Sequence, residues 1–152
     1  MNTHSSNQTK DPVFQLTDII RETGFAIHQF LGSGHLEKVY ERSLKNRLRK
    51  MGHKVESQKM LKVFDEDGSE LGEFYADLVV DDVLILELKA SKDIVDEHVA
   101  QLLGYLRASG IEHGAIVNFG GGKFQIRKLG MKDRPGMSRF RRMAQAVCSL
   151  FI

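Results

Sequence analysis

The chain has 152 residues, of which 41% are hydrophobic and 28% charged, with a formal net charge of +2. That composition is ordinary for a soluble globular protein and excludes disordered, fibrous and collagen-like classes. The length suits one domain whose core needs no disulfide or structural metal. The single cysteine, Cys148, excludes an internal disulfide and a cysteine-based zinc site.

No apolar run reaches membrane-spanning length, and the polar start "MNTHSSNQTKDP" has no signal-peptide core, so a cytoplasmic protein without a membrane partner is expected. Residues 1–12 read as a disordered lead-in and 13–152 as one domain. The charges are segregated. Val63 to Glu97 carries twelve acids against two lysines, Lys38 to Lys54 seven bases against one acid, and Lys123 to Arg142 eight against one. Such runs fit solvated faces, or an acidic, cation-attracting centre flanked by phosphate-holding surfaces.

In chain order, Phe14 to Phe30 has helical spacing, with Phe14, Ile19 or Ile20, Ile27 and Leu31 on one face, and "LGSG" ends it. Leu36 to Met51 is a second helix with the stripe Leu36, Val39, Tyr40, Leu44, Leu48, Met51. Three strands in a meander follow at Val55 to Phe64, Gly72 to Val80 and Val83 to Lys89. Asp96 to Ala108 is helical, with Val99, Leu102, Leu103 and Leu106 toward the core. A buried strand at 114–119 and an edge strand from Lys123 to Leu129 flank a glycine turn. The basic amphipathic segment after Pro135-Gly136 completes the order ααβββαββα. Its Arg139, Arg141 and Arg142 suit phosphate contacts, and its Phe140, Met143, Val147 and Leu150 suit packing on the core.

Charges interrupt the otherwise apolar run "FYADLVVDDVLILELKAS" at Asp77, Glu87 and Lys89. On a strand, Glu87 and Lys89 point to one face and Leu88 to the other. Asp77 joins that face if the connecting loop is odd, as with Asp81-Asp82-Val83, or if a bulge intervenes, and not if Asp81-Asp82 form a plain two-residue turn. Two converging carboxylates repel, and a hard divalent cation offsets this while also binding phosphate oxygens. The same residues also fit a Glu87–Lys89 salt bridge at a sheet edge. Glu37, three residues before Tyr40, borders the apolar stripe of its helix, and His98, Gln101 and Tyr105 line up beside the core stripe of theirs.

Gly34-x-x-Glu37-x-x-Tyr40, Asp77, Glu87-x-Lys89 and Gln101-x-x-x-Tyr105, followed by "VNFG" at 117–120, together resemble the GxxExxY protein family, a branch of the PD-(D/E)xK nuclease-like superfamily. The resemblance runs from about Phe14 to Leu129. It implies an α/β fold with a restriction-endonuclease-like core, a mixed central sheet flanked by helices. It further implies Asp77 and Glu87 as ligands of Mg²⁺ or Mn²⁺, Lys89 as the catalytic lysine and Glu37 as an accessory acid. The Leu88 carbonyl is expected as a backbone metal ligand. Gln101 and Tyr105 match a Q-x-x-x-Y element that supports the site and the substrate backbone, and Tyr40 and His98 are expected to serve with them. The expected function is metal-dependent hydrolysis of DNA or RNA, with a catalytically inactive nucleic-acid-binding or protein-interaction module as the alternative.

Overall fold

Helix α1 (Pro12–Leu31) opens a computed structural model whose described residues are 10–131. Asp11 caps it by accepting the Val13 N–H, and Pro12 occupies the first turn, where a missing N–H costs nothing. The helix therefore absorbs Pro12, which the sequence assigned to the lead-in. Ile20 and Ile27 are buried as expected, whereas Phe14 stays half exposed. Buried Thr17 and Thr23 bond back to the carbonyls of Val13 and Ile19, so their hydroxyls are satisfied inside the helix.

Helix α2 (Glu37–Lys50) buries Tyr40, Glu41, Leu44 and Leu48. The expected stripe is corrected here: Leu36, Val39 and Met51 are exposed, and the buried face is rotated toward Glu41. The cause is the start of the helix. Leu36 is an extended cap residue and Met51 lies past the last turn, so neither can share the face of 40, 44 and 48.

Five strands form one sheet in the order β1 (Val55–Phe64), β2 (Glu70–Val80), β3 (Leu84–Lys89), β4 (His113–Asn118), β5 (Gln125–Gly130). The β1–β2–β3 meander is antiparallel; α3 (Asp96–Ser109) carries the chain over to β4, which runs parallel to β3, and β5 returns antiparallel. Gly110, left-handed at φ 72, ends α3, and its N–H bonds the Leu106 carbonyl.

The sheet divides two cores. Leu84, Leu86, Leu88 and Val117 pack with Ile20, Ile27, Leu44 and Leu48 of α1 and α2. Val79, Ile85 and Ile116 pack with Leu102 and Leu106 of α3. Each such fully buried aliphatic side chain stabilises the fold by about 1.5–3 kcal/mol relative to exposure. Strand β3 lies mid-sheet between the two cores, which is why a charge on it is expensive to hold. The element order matches the expected one through β5; the expected helix after Pro135-Gly136 lies outside the described residues.

Candidate active site

The β2–β3 connection is the three-residue loop Asp81-Asp82-Val83, with Asp81 and Asp82 left-handed at φ 51 and 60. Its odd length sets the register Val80↔Leu84, Val79↔Ile85, Leu78↔Leu86. One step further along, Asp77 stands across from Glu87. The backbone ladder stops there, and side chains take over. The Leu88 N–H donates to Asp77 Oδ2 at 2.9 Å, and the Asp77 N–H donates to Glu87 Oε1 at 3.4 Å.

A local slip on the β1 side makes this geometry possible. Ser57↔Leu78 and Lys59↔Ala76 pair, while Gln58 and Asp77 between them do not. Ala76 and Val79 pack in the same core although three residues apart, so strand alternation shifts by one at Asp77. Gln58 is left-handed at φ 51. For a residue with a Cβ that conformation costs on the order of 1–2 kcal/mol. It brings the Gln58 amide between two acids, donating to Glu41 Oε2 at 3.1 Å and to Asp77 Oδ1 at 3.3 Å.

Glu87 shares the α3 side of β3 with Ile85 and is 5% exposed. Burial, and then the charge of Asp77, push its carboxyl up to about 8; the Asp77 N–H and the Lys89 ammonium oppose this only in part. Lys89 does not form the alternative salt bridge. Among the described residues it makes no ion pair, and its ammonium reaches Gln101 Oε1 at 3.5 Å. Gln101 in turn donates to the Tyr105 hydroxyl at 2.8 Å, and Tyr105 stacks on Phe74 with centroids 3.9 Å apart. Burial, and the negative charges of Glu87 and Asp77, raise the pKa of the Tyr105 hydroxyl, so it stays a proton donor.

Asp77, Glu87, Lys89, Gln101 and Tyr105 thus come together, with the Leu88 amide holding Asp77. Three expected residues do other work. Glu37 is exposed in the first turn of α2, where its charge suits the helix dipole, and makes none of the site's hydrogen bonds. Tyr40 is fully buried: it donates to the Gly32 carbonyl at 2.6 Å, accepts the His35 N–H at 3.2 Å and stacks on Phe119 at 4.6 Å. It therefore pins the Gly32–Gly34 loop and offers no surface to a substrate. His98 caps α3, its Nδ1 accepting the Val95 N–H at 3.2 Å.

Three further residues complete the surroundings. Buried Glu41 accepts from Ser57, from Gln58 and from Lys38 Nζ at 3.0 Å. The 40, 44, 48 stripe could have pointed to it, because position 41 adjoins that stripe; the role of Gln58 has no comparable signal. Asn118, fully buried within "VNFG", bonds both backbone groups of Ser91, the Gly120 N–H and Gln125, which fixes the loop leaving Lys89. Gly120 packs so closely there that a Cβ would stand 2.2 Å from the Ala90 carbonyl carbon, so no other residue fits.

Among the described residues no three His, Cys, Asp or Glu side chains gather as a metal-holding group. The donor set is two adjoining carboxylates, one deeply buried. It still suits a hard divalent ion, since Mg²⁺ commonly takes one or two carboxylates and completes its shell with water and substrate phosphate oxygens.

Residues 14–129 match the family model described as the PD-(D/E)XK nuclease superfamily, and the chain belongs to that superfamily. Nucleases of this class generally use divalent metals. A solved structure titled "Crystal structure of SSO0001" is similar in fold, with a TM-score of 0.52 at 17% identity over 75% of this chain. The match spans 58% of that protein's length. No curated protein matches. No helix among the described residues is long and apolar enough to cross a membrane.

Proposed function

We propose that this chain is a Mg²⁺- or Mn²⁺-dependent nuclease of the GxxExxY branch, hydrolysing phosphodiester bonds of DNA or RNA, and acting in the cytoplasm. The observation that carries the reading is the burial of Glu87 against Asp77 on a central strand, with Lys89 beside them and unpaired. A fold gains nothing from placing two acids there: ionising both, at an effective dielectric near 20 and about 5 Å, would cost of order 3 kcal/mol, which helps keep the proton on Glu87.

Asp77 and Glu87 would hold the metal, with the Leu88 carbonyl as a candidate third ligand. A divalent ion bound there supplies a Lewis acid for the phosphate and a water of lowered pKa. The chain's own residues do the rest. The Leu88 N–H and the Gln58 amide hold Asp77 in one orientation, so the ligand is preorganised. Glu87, protonated near neutral pH without metal, would have to give up its proton to serve as a ligand, so metal binding would release a proton. Gln101 and Tyr105 position the Lys89 ammonium, which orients the attacking water or neutralises developing phosphate charge.

The alternative, a module that binds nucleic acid or protein without turnover, draws on one observation. Glu41, the other buried acid nearby, is already satisfied by Ser57, Gln58 and Lys38, so only two carboxylates are left for a metal. A cleavage assay over single- and double-stranded DNA and RNA with Mg²⁺ or Mn²⁺, with Glu87→Ala as control, separates the readings. Metal-dependent cleavage lost in the variant is expected; no cleavage of any substrate by the wild type favours the module.

A further inference from the structure

On the face of the sheet that carries the site, Lys89 pairs with Asn118 and Asn118 with Gln125. Gln125 is therefore two strand spacings, about 10 Å, across from the catalytic lysine. It also lines an open groove of about 730 Å³ that wraps the edge strand β5 between α1 and the loop before α3. Phe25 and Phe124 furnish aromatic surface; Arg127 and Arg21, the latter also paired with Asp18 at 3.4 Å, furnish guanidinium groups, and Glu22 is the one acid lining it. Phe25 is 52% exposed, so part of its ring is open to a ligand in the groove. Phe124 is fixed, packed over Gly24, where a Cβ would stand 2.4 Å from its ring, and against Phe119.

Cations connect groove and site. The backbones of Lys92 and Lys123 meet at Gly121, where a Cβ would lie 2.8 and 3.3 Å from their carbonyl oxygens. Lys92, Lys123 and Arg127 make no ion pair among the described residues, so their charges stay available. Lys89, Lys92, Lys123 and Arg127 thus put cations without ion pairs on the segments between the site and the groove's two rings, Phe25 exposed and Phe124 half-buried.

We infer that this groove is a subsite for single-stranded nucleic acid, holding the nucleotides next to the scissile phosphate. The inference rests on the nuclease reading for what happens at Lys89, but the groove's own binding does not require metal. Unpaired bases present π-faces to Phe25 and Phe124, while guanidinium and ammonium groups take the phosphates. In a duplex those faces are stacked internally, so the groove selects single strands. DNA and RNA share this chemistry.

The test uses the full chain and fluorescein-labelled 12-nucleotide DNA and RNA, single-stranded and as hairpin duplexes, by anisotropy without metal, alongside cleavage with Mn²⁺. Wild type and Glu87→Ala should both bind single strands at least about tenfold tighter than duplex. Phe25→Ala should weaken single-strand binding about tenfold and Phe25→Tyr should not. Arg127→Ala should lower the salt dependence by about one phosphate contact, a slope change of about 0.7. Comparison of the DNA and RNA arms identifies the polymer. Loss of binding in Phe25→Ala with no cleavage by wild type upholds the groove and overturns the nuclease reading. Cleavage by wild type, with single-strand binding unchanged in Phe25→Ala and Arg127→Ala, overturns the groove alone. Unchanged binding with a lower Tm or altered oligomeric state in Phe25→Ala also overturns it, marking the groove as a protein-packing face.

Discussion

Glu41 and Glu87 are almost equally buried, 4% and 5% exposed, yet the molecule treats them in opposite ways. Glu41 faces a hydroxyl, an amide and an ammonium, which together replace the water it lost. Glu87 receives one long backbone N–H and lies beside another carboxylate. The first is a buried charge made compatible with folding. The second is left short of partners, a state that costs stability unless something else binds there. Gln58 connects the two regions, so the satisfied Glu41 also steadies Asp77 beside Glu87.

The largest expected effect separates the two glutamates by activity. Glu87→Ala should lower metal-dependent cleavage by at least about a thousandfold, as expected when transition-state charge stabilisation is lost. Glu41→Gln, which keeps the side chain's size and one acceptor, should retain measurable turnover in the same assay. Equal losses in both would erase the distinction.

By stability the order reverses. Glu41→Ala should cost about 3 kcal/mol in a urea titration, because Ser57 and Gln58 lose a buried acceptor and a cavity opens. Glu87→Gln in metal-free protein should be neutral or stabilising at pH 8.5.

The pH dependence sharpens the contrast. The Glu87 carboxyl rises from 4.5 to about 8 on folding, so between those values the native state keeps a proton that the unfolded chain has released. Metal-free protein should therefore lose stability as pH rises through that window and level off above it, by at most about 5 kcal/mol from this group. Glu87→Gln should remove that part of the slope, which melts at intervals from pH 5 to 9 would reveal.

The residues around Lys89 separate chemistry from metal binding. Lys89→Met should retain metal binding, since both carboxylates stay, and lose cleavage. Tyr105→Phe keeps the stack on Phe74 but removes the hydroxyl that Gln101 holds, and should reduce cleavage by about tenfold with Tm nearly unchanged.

Much of this was legible in the residues. The helical stripes and the alternation around "LVVDDVLILELK" suffice for the order of elements through β5. Parity reduced the placement of Asp77 to the length of the Asp81 turn or the presence of a bulge. The register Val80↔Leu84 sets the turn at three residues, and Asp81 and Asp82 suit their left-handed positions because Asp tolerates that conformation better than most residues. The rest depended on facts that spacing does not carry. The motif placed Glu37 at the site, but α2 begins there, so its first turn faces solvent and Glu41, a turn later, goes inside. The motif likewise placed Tyr40 at the site, but its position on the apolar stripe buries it and turns its hydroxyl to the Gly32 carbonyl. The left-handed Gln58 and the slip at Asp77 arise from how β1 and β2 accommodate the site, and no periodicity announces them.

The most direct test of the central claim is the shift in Tm at pH 7.5 on adding Mn²⁺ to wild type, Glu41→Gln and Glu87→Gln. An ion that binds only the native site adds about 2.7 kcal/mol at a hundred times its Kd. Wild type and Glu41→Gln should both melt higher with metal, and Glu87→Gln should not respond. A wild type that ignores millimolar Mn²⁺, or a Glu87→Gln that responds as wild type does, would contradict the assignment of Asp77 and Glu87 as a metal site.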